Sequence, residues 1–80
     1  MPRRYSTREV AEALERIDIR FLRQKGSHMR YRGIWRGRER NVTLVAGQRL
    51  IPPRTLAHIL GQIGIRSDEF VRLIAGEEID

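Results

Sequence analysis

Apolar residues recur along this chain with two different periods, and the points where the period changes divide it into elements. Val10, Ala13, Leu14 and Ile17 follow one another at helical spacing, with Glu12, Glu15 and Arg16 on the opposite side. Ser6 and Glu9 stand just ahead of this stripe in the spacing of a reciprocal capping box. Glu12 and Arg16 have the spacing of a favourable ion pair on a helix. A first amphipathic helix is predicted here. From Ile19 to Lys25 the residues become β-type, although their alternation is imperfect, and Gly26-Ser27 reads as a turn. His28 to Arg32 then alternates cleanly, with Met29 and Tyr31 on one side and His28, Arg30 and Arg32 on the other. Asn41 to Val45 reads as a third strand with Val42 and Leu44 inward; the hairpin before it turns at either Gly33 or Gly37.

Helical spacing returns after Gly47-Gln48-Arg49. Pro52-Pro53 introduces a second helix, whose stripe is Leu56, Ile59, Leu60 and Ile63 and whose stop is Gly64. Ser67, with Asp68 and Glu69, is expected to cap a short final helix carrying Phe70, Val71, Leu73 and Ile74. The fold class expected is α+β: a three-stranded antiparallel sheet with helices on one face, in the order α-β-β-β-α plus the short C-terminal helix. The apolar sides of the strands face the helices, which leaves His28, Arg30 and Arg32 on the open side.

At 80 residues the chain is expected to be one domain over 1–80 with an ordered core over roughly residues 6–75. So small a core leaves no space for a deep enclosed cofactor cavity, so chemistry belongs on an open surface. Cysteine is absent, which excludes disulfides, thiolate metal sites and cysteine nucleophiles. No apolar run approaches the ~18 residues that cross a bilayer, and Met1-Pro2-Arg3-Arg4-Tyr5 does not lead into a signal peptide. A cytoplasmic protein without a membrane partner is the expectation.

Charge changes the picture most. The formal net charge is +6, and it is concentrated between Ile19 and Arg54, where Arg20, Arg23, Lys25, Arg30, Arg32, Arg36, Arg38, Arg40, Arg49 and Arg54 stand against Glu39 alone. Lys25 is the single lysine. Guanidinium groups bind phosphate in a planar fork and stack on bases, so this middle segment points to a nucleic-acid partner.

Few residues remain that could do chemistry. The chain has no glycine-rich phosphate loop, no serine triad arrangement and no clustered metal ligands, so neither cofactor nor metal is expected. The acids lie mostly on the first helix and in the tail, away from the basic strands. What stands out is Gln24-Lys25-Gly26-Ser27-His28, an imidazole placed just after a tight turn in a cationic setting. RNA carries its own nucleophile, the 2′-hydroxyl, and needs a group to move a proton and cations to hold the phosphate. Imidazole suits the first task near neutrality, and Arg23, Lys25 and Arg30 suit the second. A surface histidine without a role satisfies the same spacing. His58, opposite the apolar stripe of its helix, reads as merely solvent-exposed. Trp35, in the arginine-rich hairpin, could stack a base, anchor a partner protein or fold over the edge of the core.

Arg23-Gln24-Lys25-Gly26-Ser27-His28 resembles the signature segment of the HicA mRNA interferases, toxins of HicA–HicB toxin–antitoxin systems. The likeness extends to Val10–Ile17, to Asn41-Val42-Thr43-Leu44-Val45, to Pro53–Ile65 and to Ser67-Asp68-Glu69-Phe70. It departs from the family at Met29, where a second histidine is frequent, and at Asp18-Ile19-Arg20, where a glycine–aromatic step is frequent. The resemblance implies a double-stranded-RNA-binding-like fold and a ribonuclease acting on mRNA, with neutralisation by a HicB-like antitoxin that covers the active site. It places the catalytic histidine at His28, just after Gly26-Ser27; on charge and position, RNA contacts are expected at Arg23, Lys25, Ser27, Arg30 and Arg32. A homodimer, or a hetero-oligomer with the antitoxin, is compatible with it. The competing expectations are a non-catalytic double-stranded-RNA-binding module, for which a basic sheet would suffice, and a protein-binding adaptor with no RNA affinity.

Overall fold

Ser6 both delays and caps the first helix: its hydroxyl oxygen accepts from the Glu9 amide at 3.1 Å while the Glu9 carboxylate accepts from the Ser6 amide at 3.1 Å. In the computed structural model, which describes residues 3–80, helix α1 spans Thr7–Arg16. There follow β1 (Arg20–Lys25), β2 (His28–Trp35), β3 (Arg38–Val45), α2 (Pro53–Ile63) and α3 (Ser67–Ile74). The strands form a single antiparallel sheet in the order β1-β2-β3, the α+β arrangement the periodicity predicts.

Several local expectations are corrected. Strands β2 and β3 are longer than the alternation indicates, and β1 begins one residue later, at Arg20. The second hairpin turns at Arg36-Gly37, both with positive φ (53° and 74°), as a two-residue connection between β-strands prefers. Gly33 is no turn. It lies inside β2, where a Cβ would run into the Asp18 carbonyl oxygen and come within 2.8 Å of the Ile19 Cα. The chain leaving α1 crosses the sheet there, with Asp18 in the left-handed region at φ 60°. Glu12 and Arg16 do not pair: Glu12 faces Arg8 at 3.7 Å, and Arg16 donates to the Leu73 carbonyl at 2.6 Å. The cap of α3 is Arg66 rather than Ser67, with the Glu69 carboxylate accepting from the Arg66 amide at 2.9 Å. Val71 points to solvent instead of joining the stripe of that helix.

The core lies between the helices and the inner face of β2 and β3. Val10, Leu14 and Ile17 from α1, Ile59, Leu60 and Ile63 from α2, and Phe70 and Leu73 from α3 close over Tyr31, Val42 and Leu44. Helix α2 also guards the free edge of β3, where the Thr43 amide donates to the Gln62 side-chain oxygen at 3.1 Å. The other edge has no such cover, and every residue of β1 is exposed. At C-terminal Gly64 (φ 82°) the left-handed conformation ends α2 as expected, and its amide donates to the Leu60 carbonyl at 2.8 Å.

Arg36, at the hairpin tip, straps the far end of the sheet to α3. Its guanidinium pairs with Glu69 and reaches the Asp80 carbonyl at 2.7 Å and the Gly64 carbonyl at 3.3 Å. Hydrogen bonds from Arg36 and from the Arg66 amide hold the Glu69 carboxyl down at about 2, well below its ordinary 4.5.

Two outcomes follow. Gly33→Ala should lower unfolding stability by about 1–3 kcal/mol in urea titration, because the added methyl displaces the Asp18–Ile19 crossing. Glu69 is depressed in the folded state, so its contribution is complete above pH 4.5 and fades as pH falls towards about 2. Glu69→Gln should therefore melt below wild type at pH 7, with the gap in melting temperature closing across that acid window.

Candidate functional site

The β1–β2 turn is built from two residues, Gly26 and Ser27, between the paired Lys25 and His28. Gly26 takes φ 58°, a conformation that glycine supplies without penalty. The turn is braced on both sides. The Gln24 side chain donates to the Gly26 carbonyl at 2.9 Å, and the Ala46 amide donates to the Ser27 carbonyl at 2.7 Å. One residue earlier, the Val45 carbonyl accepts from the buried Thr7 hydroxyl at 2.6 Å, which ties the end of β3 to the start of α1. His28 thus opens the central strand at a point fixed from three elements.

Residues directly opposite one another in an antiparallel pair share a face. On the face away from the helices the rows therefore read Lys25–His28–Val45, then Arg23–Arg30–Thr43, then Arg20–Arg32–Asn41. The register of β1 slips by one between Phe21 and Arg23. Leu22 is the surplus residue of this bulge, and a one-residue slip exchanges the faces of everything beyond it. Counted from the turn, an unbroken strand would put Leu22 opposite Tyr31 and bring Phe21 to the open face opposite Arg32. The turn sets two cations beside the imidazole, and the bulge lets Phe21 keep its place on Tyr31.

Ion pairing divides the cations of this face. Arg32 pairs with Glu39, and Arg20 lies 2.7 Å from Asp18 and 3.7 Å from Glu15. Arg23, Lys25 and Arg30 have no ion pair or side-chain hydrogen bond among the described residues, and they line one shallow concavity with Gly26 and His28. All five are exposed. Of the six residues singled out in the sequence, His28, Arg23, Lys25 and Arg30 converge. Ser27 is present through its turn backbone, and Arg32 sits one row away with its charge already answered.

Thr43 and Asn41 also line this face, and the alternation that turns Val42 and Leu44 inward is the signal that marks them. Tyr31 faces the core, where burial and then Glu15 push its phenol above the ordinary value. Trp35 folds back against the core with the Arg36 guanidinium 5.1 Å from its ring centroid, so it is no base-stacking platform on the open face. Its indole N–H is buried without an acceptor. His58 is exposed on α2, with Nε2 3.5 Å from the Gln62 amide nitrogen. At the opposite end of β2, Asp18, Glu77, Glu78 and Asp80 line a separate concavity with Ile34 and Trp35.

Chemically, the concavity offers one imidazole that can take or give a proton and three uncommitted cations that can hold a phosphate. A family model described as HicA toxin of bacterial toxin–antitoxin matches residues 7–65, a span that includes the whole sheet. No curated protein and no solved structure gives a significant match. No helix among the described residues is long and apolar enough to cross a membrane.

The role assigned to the bulge is open to a direct check. Deleting Leu22 removes the surplus residue and should leave Arg23 beside Arg30 and Lys25 beside His28. Deleting Gln24 should turn Arg23 to the helix side. Cross-strand nuclear Overhauser contacts between Arg23 and Arg30 should survive the first deletion and vanish in the second; their loss in both would refute the register argument.

Proposed function

Because the chain belongs to the HicA toxin family of bacterial toxin–antitoxin systems, we propose that it is an endoribonuclease that cuts mRNA through His28 and is neutralised by a HicB-like antitoxin seated over that residue. The observation that carries this reading is the convergence of His28 with Arg23, Lys25 and Arg30, the unpaired cations of the open face. The order of helices and strands also fits the double-stranded-RNA-binding-like scaffold that the family implies, with 1–80 acting as a single unit in the bacterial cytoplasm.

The reaction follows from the groups present. A phosphodiester of the RNA backbone lies across Arg23, Lys25 and Arg30, whose charge offsets the negative charge that develops at phosphorus. His28 removes the proton of the adjacent 2′-hydroxyl, whose oxygen forms a new bond to phosphorus. The bond from phosphorus to the 5′-oxygen breaks, and that oxygen takes up a proton as it leaves. The products are a 2′,3′-cyclic phosphate and a 5′-hydroxyl. Ser27 holds the turn that aims the imidazole, and Arg32 extends the phosphate track by one row when Glu39 releases it.

His28→Ala should slow cleavage by about 10²–10⁴-fold while leaving RNA affinity nearly unchanged. Replacing the 2′-hydroxyl beside the cut by hydrogen should abolish cleavage by the intact protein. Arg30→Ala should lower the slope of log affinity against log salt by about 0.7, one phosphate contact on a single strand. Equal cutting by wild type and His28→Ala would reject the proton-transfer role. Salt-dependent binding with no cutting by either would favour a non-catalytic RNA-binding module instead.

A further inference from the structure

Strand β1 is the one edge of the sheet left open. Its six residues are all exposed, whereas the opposite edge is covered at Thr43, whose amide donates to Gln62 of α2. An edge strand presents every second N–H and C=O outward without a partner. Here those groups come with two large apolar side chains, Phe21 at 50% and Leu22 at 48% exposure. By its pairing with Tyr31, Phe21 lies on the helix side of the sheet, and the two rings meet edge to face at 5.7 Å. Arg23 and Lys25 lie on the other side and carry uncommitted charge. The edge is thus amphipathic across its two faces: apolar on one, cationic on the other.

We propose that β1 is a docking edge for an extended acidic segment of a partner protein, which adds to the sheet as a fourth strand with carboxylates beside Arg23 and Lys25 and an apolar side chain beside Phe21. Addition of a strand uses backbone hydrogen bonds for affinity and alternating side chains for specificity. Charge selects the occupant. A second copy of this chain would set its own cations against these, since opposed like charges destabilise paired strands. A nucleic acid would satisfy the cations but has no use for the peptide groups of the edge or for Phe21 on the far face. An alternating acidic and apolar strand satisfies all three.

Resting on the function proposed above, the inference has a consequence for activity. The carboxylates would engage the same Arg23 and Lys25 that flank His28, so the partner would disable the site from its side and need not cover the imidazole.

The probe is a short capped peptide alternating glutamate with valine, added to the full isotopically labelled chain. Outward amides of β1 should gain protection from hydrogen exchange, the Phe21 and Leu22 signals should shift, and RNA cleavage should fall as the peptide saturates. A lysine–valine peptide, or the glutamate–valine peptide methylated on the nitrogens of its pairing edge, should do none of these. Leu22→Ser should weaken peptide binding about tenfold, as loss of one half-buried leucine contact predicts. The proposal is overturned if the shifts fall on His28, Arg30 and Thr43 without protection of β1, if no peptide binds, or if the methylated peptide binds equally well. It is overturned too if β1 is protected without peptide in a chain that sediments as a dimer. The exchange measurement contains no RNA, so a chain that cleaves nothing would remove the proposed function while leaving the docking edge to be judged separately.

Discussion

One surplus residue in an edge strand decides which side chains this protein can use together. A β-strand has only two sides, and the assignment of residues to them depends on counting from a fixed point. The fixed point is the turn at Gly26-Ser27, locked by hydrogen bonds from Gln24 and from Ala46. The count restarts at Leu22, where the bulge lets Phe21 stay packed on Tyr31 while Arg23 and Lys25 come to the open face. An unbroken strand could keep the aromatic contact or the pair of cations, but not both.

Gathering positive charge on one face carries an electrostatic cost, which the fold limits by sorting its acids. Glu39, Asp18 and Glu15 answer Arg32 and Arg20, the row farther from His28, and leave the nearer row unanswered. Glu69 is spent elsewhere, on the strap from Arg36 that joins the hairpin tip to α3. The arrangement separates paired from unpaired charge along the length of β2. Its distal end is tied to the helices by Arg36 and by the ring of Trp35, while in its proximal half Met29 and Tyr31 pack inward and His28 and Arg30 stand free on the open face.

Elements whose residues answer to a single demand were legible in the sequence. Val10, Leu14, Ile59 and Ile63 sit where helical spacing puts them, because burial of one face is all that fixes them, and the caps at Ser6 and Gly64 follow from unpaired backbone groups. The clean alternation of His28–Arg32 gave the correct faces and brought His28 and Arg30 together. Legibility failed where two demands competed. The imperfect pattern of Ile19–Lys25 was the trace of the bulge, but a pattern cannot say which residue is surplus. Gly33 looked like a turn and is instead a point of close backbone approach, a contact remote in sequence. Arg16 left its helical neighbour Glu12 for a carbonyl on α3, a partner distant in sequence that no local spacing encodes. The sorting of the cations into answered and unanswered rows depended on Glu39 and Asp18 reaching across strands, which no local pattern encodes.

The acids that line the concavity beside Trp35 have a bearing on encounters at long range. Asp18, Glu77, Glu78 and Asp80 gather at one end of β2, and the free cations lie at the other, about 23 Å away for a strand of this length. Arg20 and Arg72 answer Asp18 and Glu77 at the one end while no ion pair among the described residues answers Arg23, Lys25 and Arg30 at the other, so the net positive charge sits unevenly along the molecule. A polyanion drifting towards it feels a torque before any contact, and rotates the protein so that the imidazole end leads. Collisions that bring a polyanion to the free cations are enriched by this alignment, and added salt erodes the orientation first and the contact afterwards.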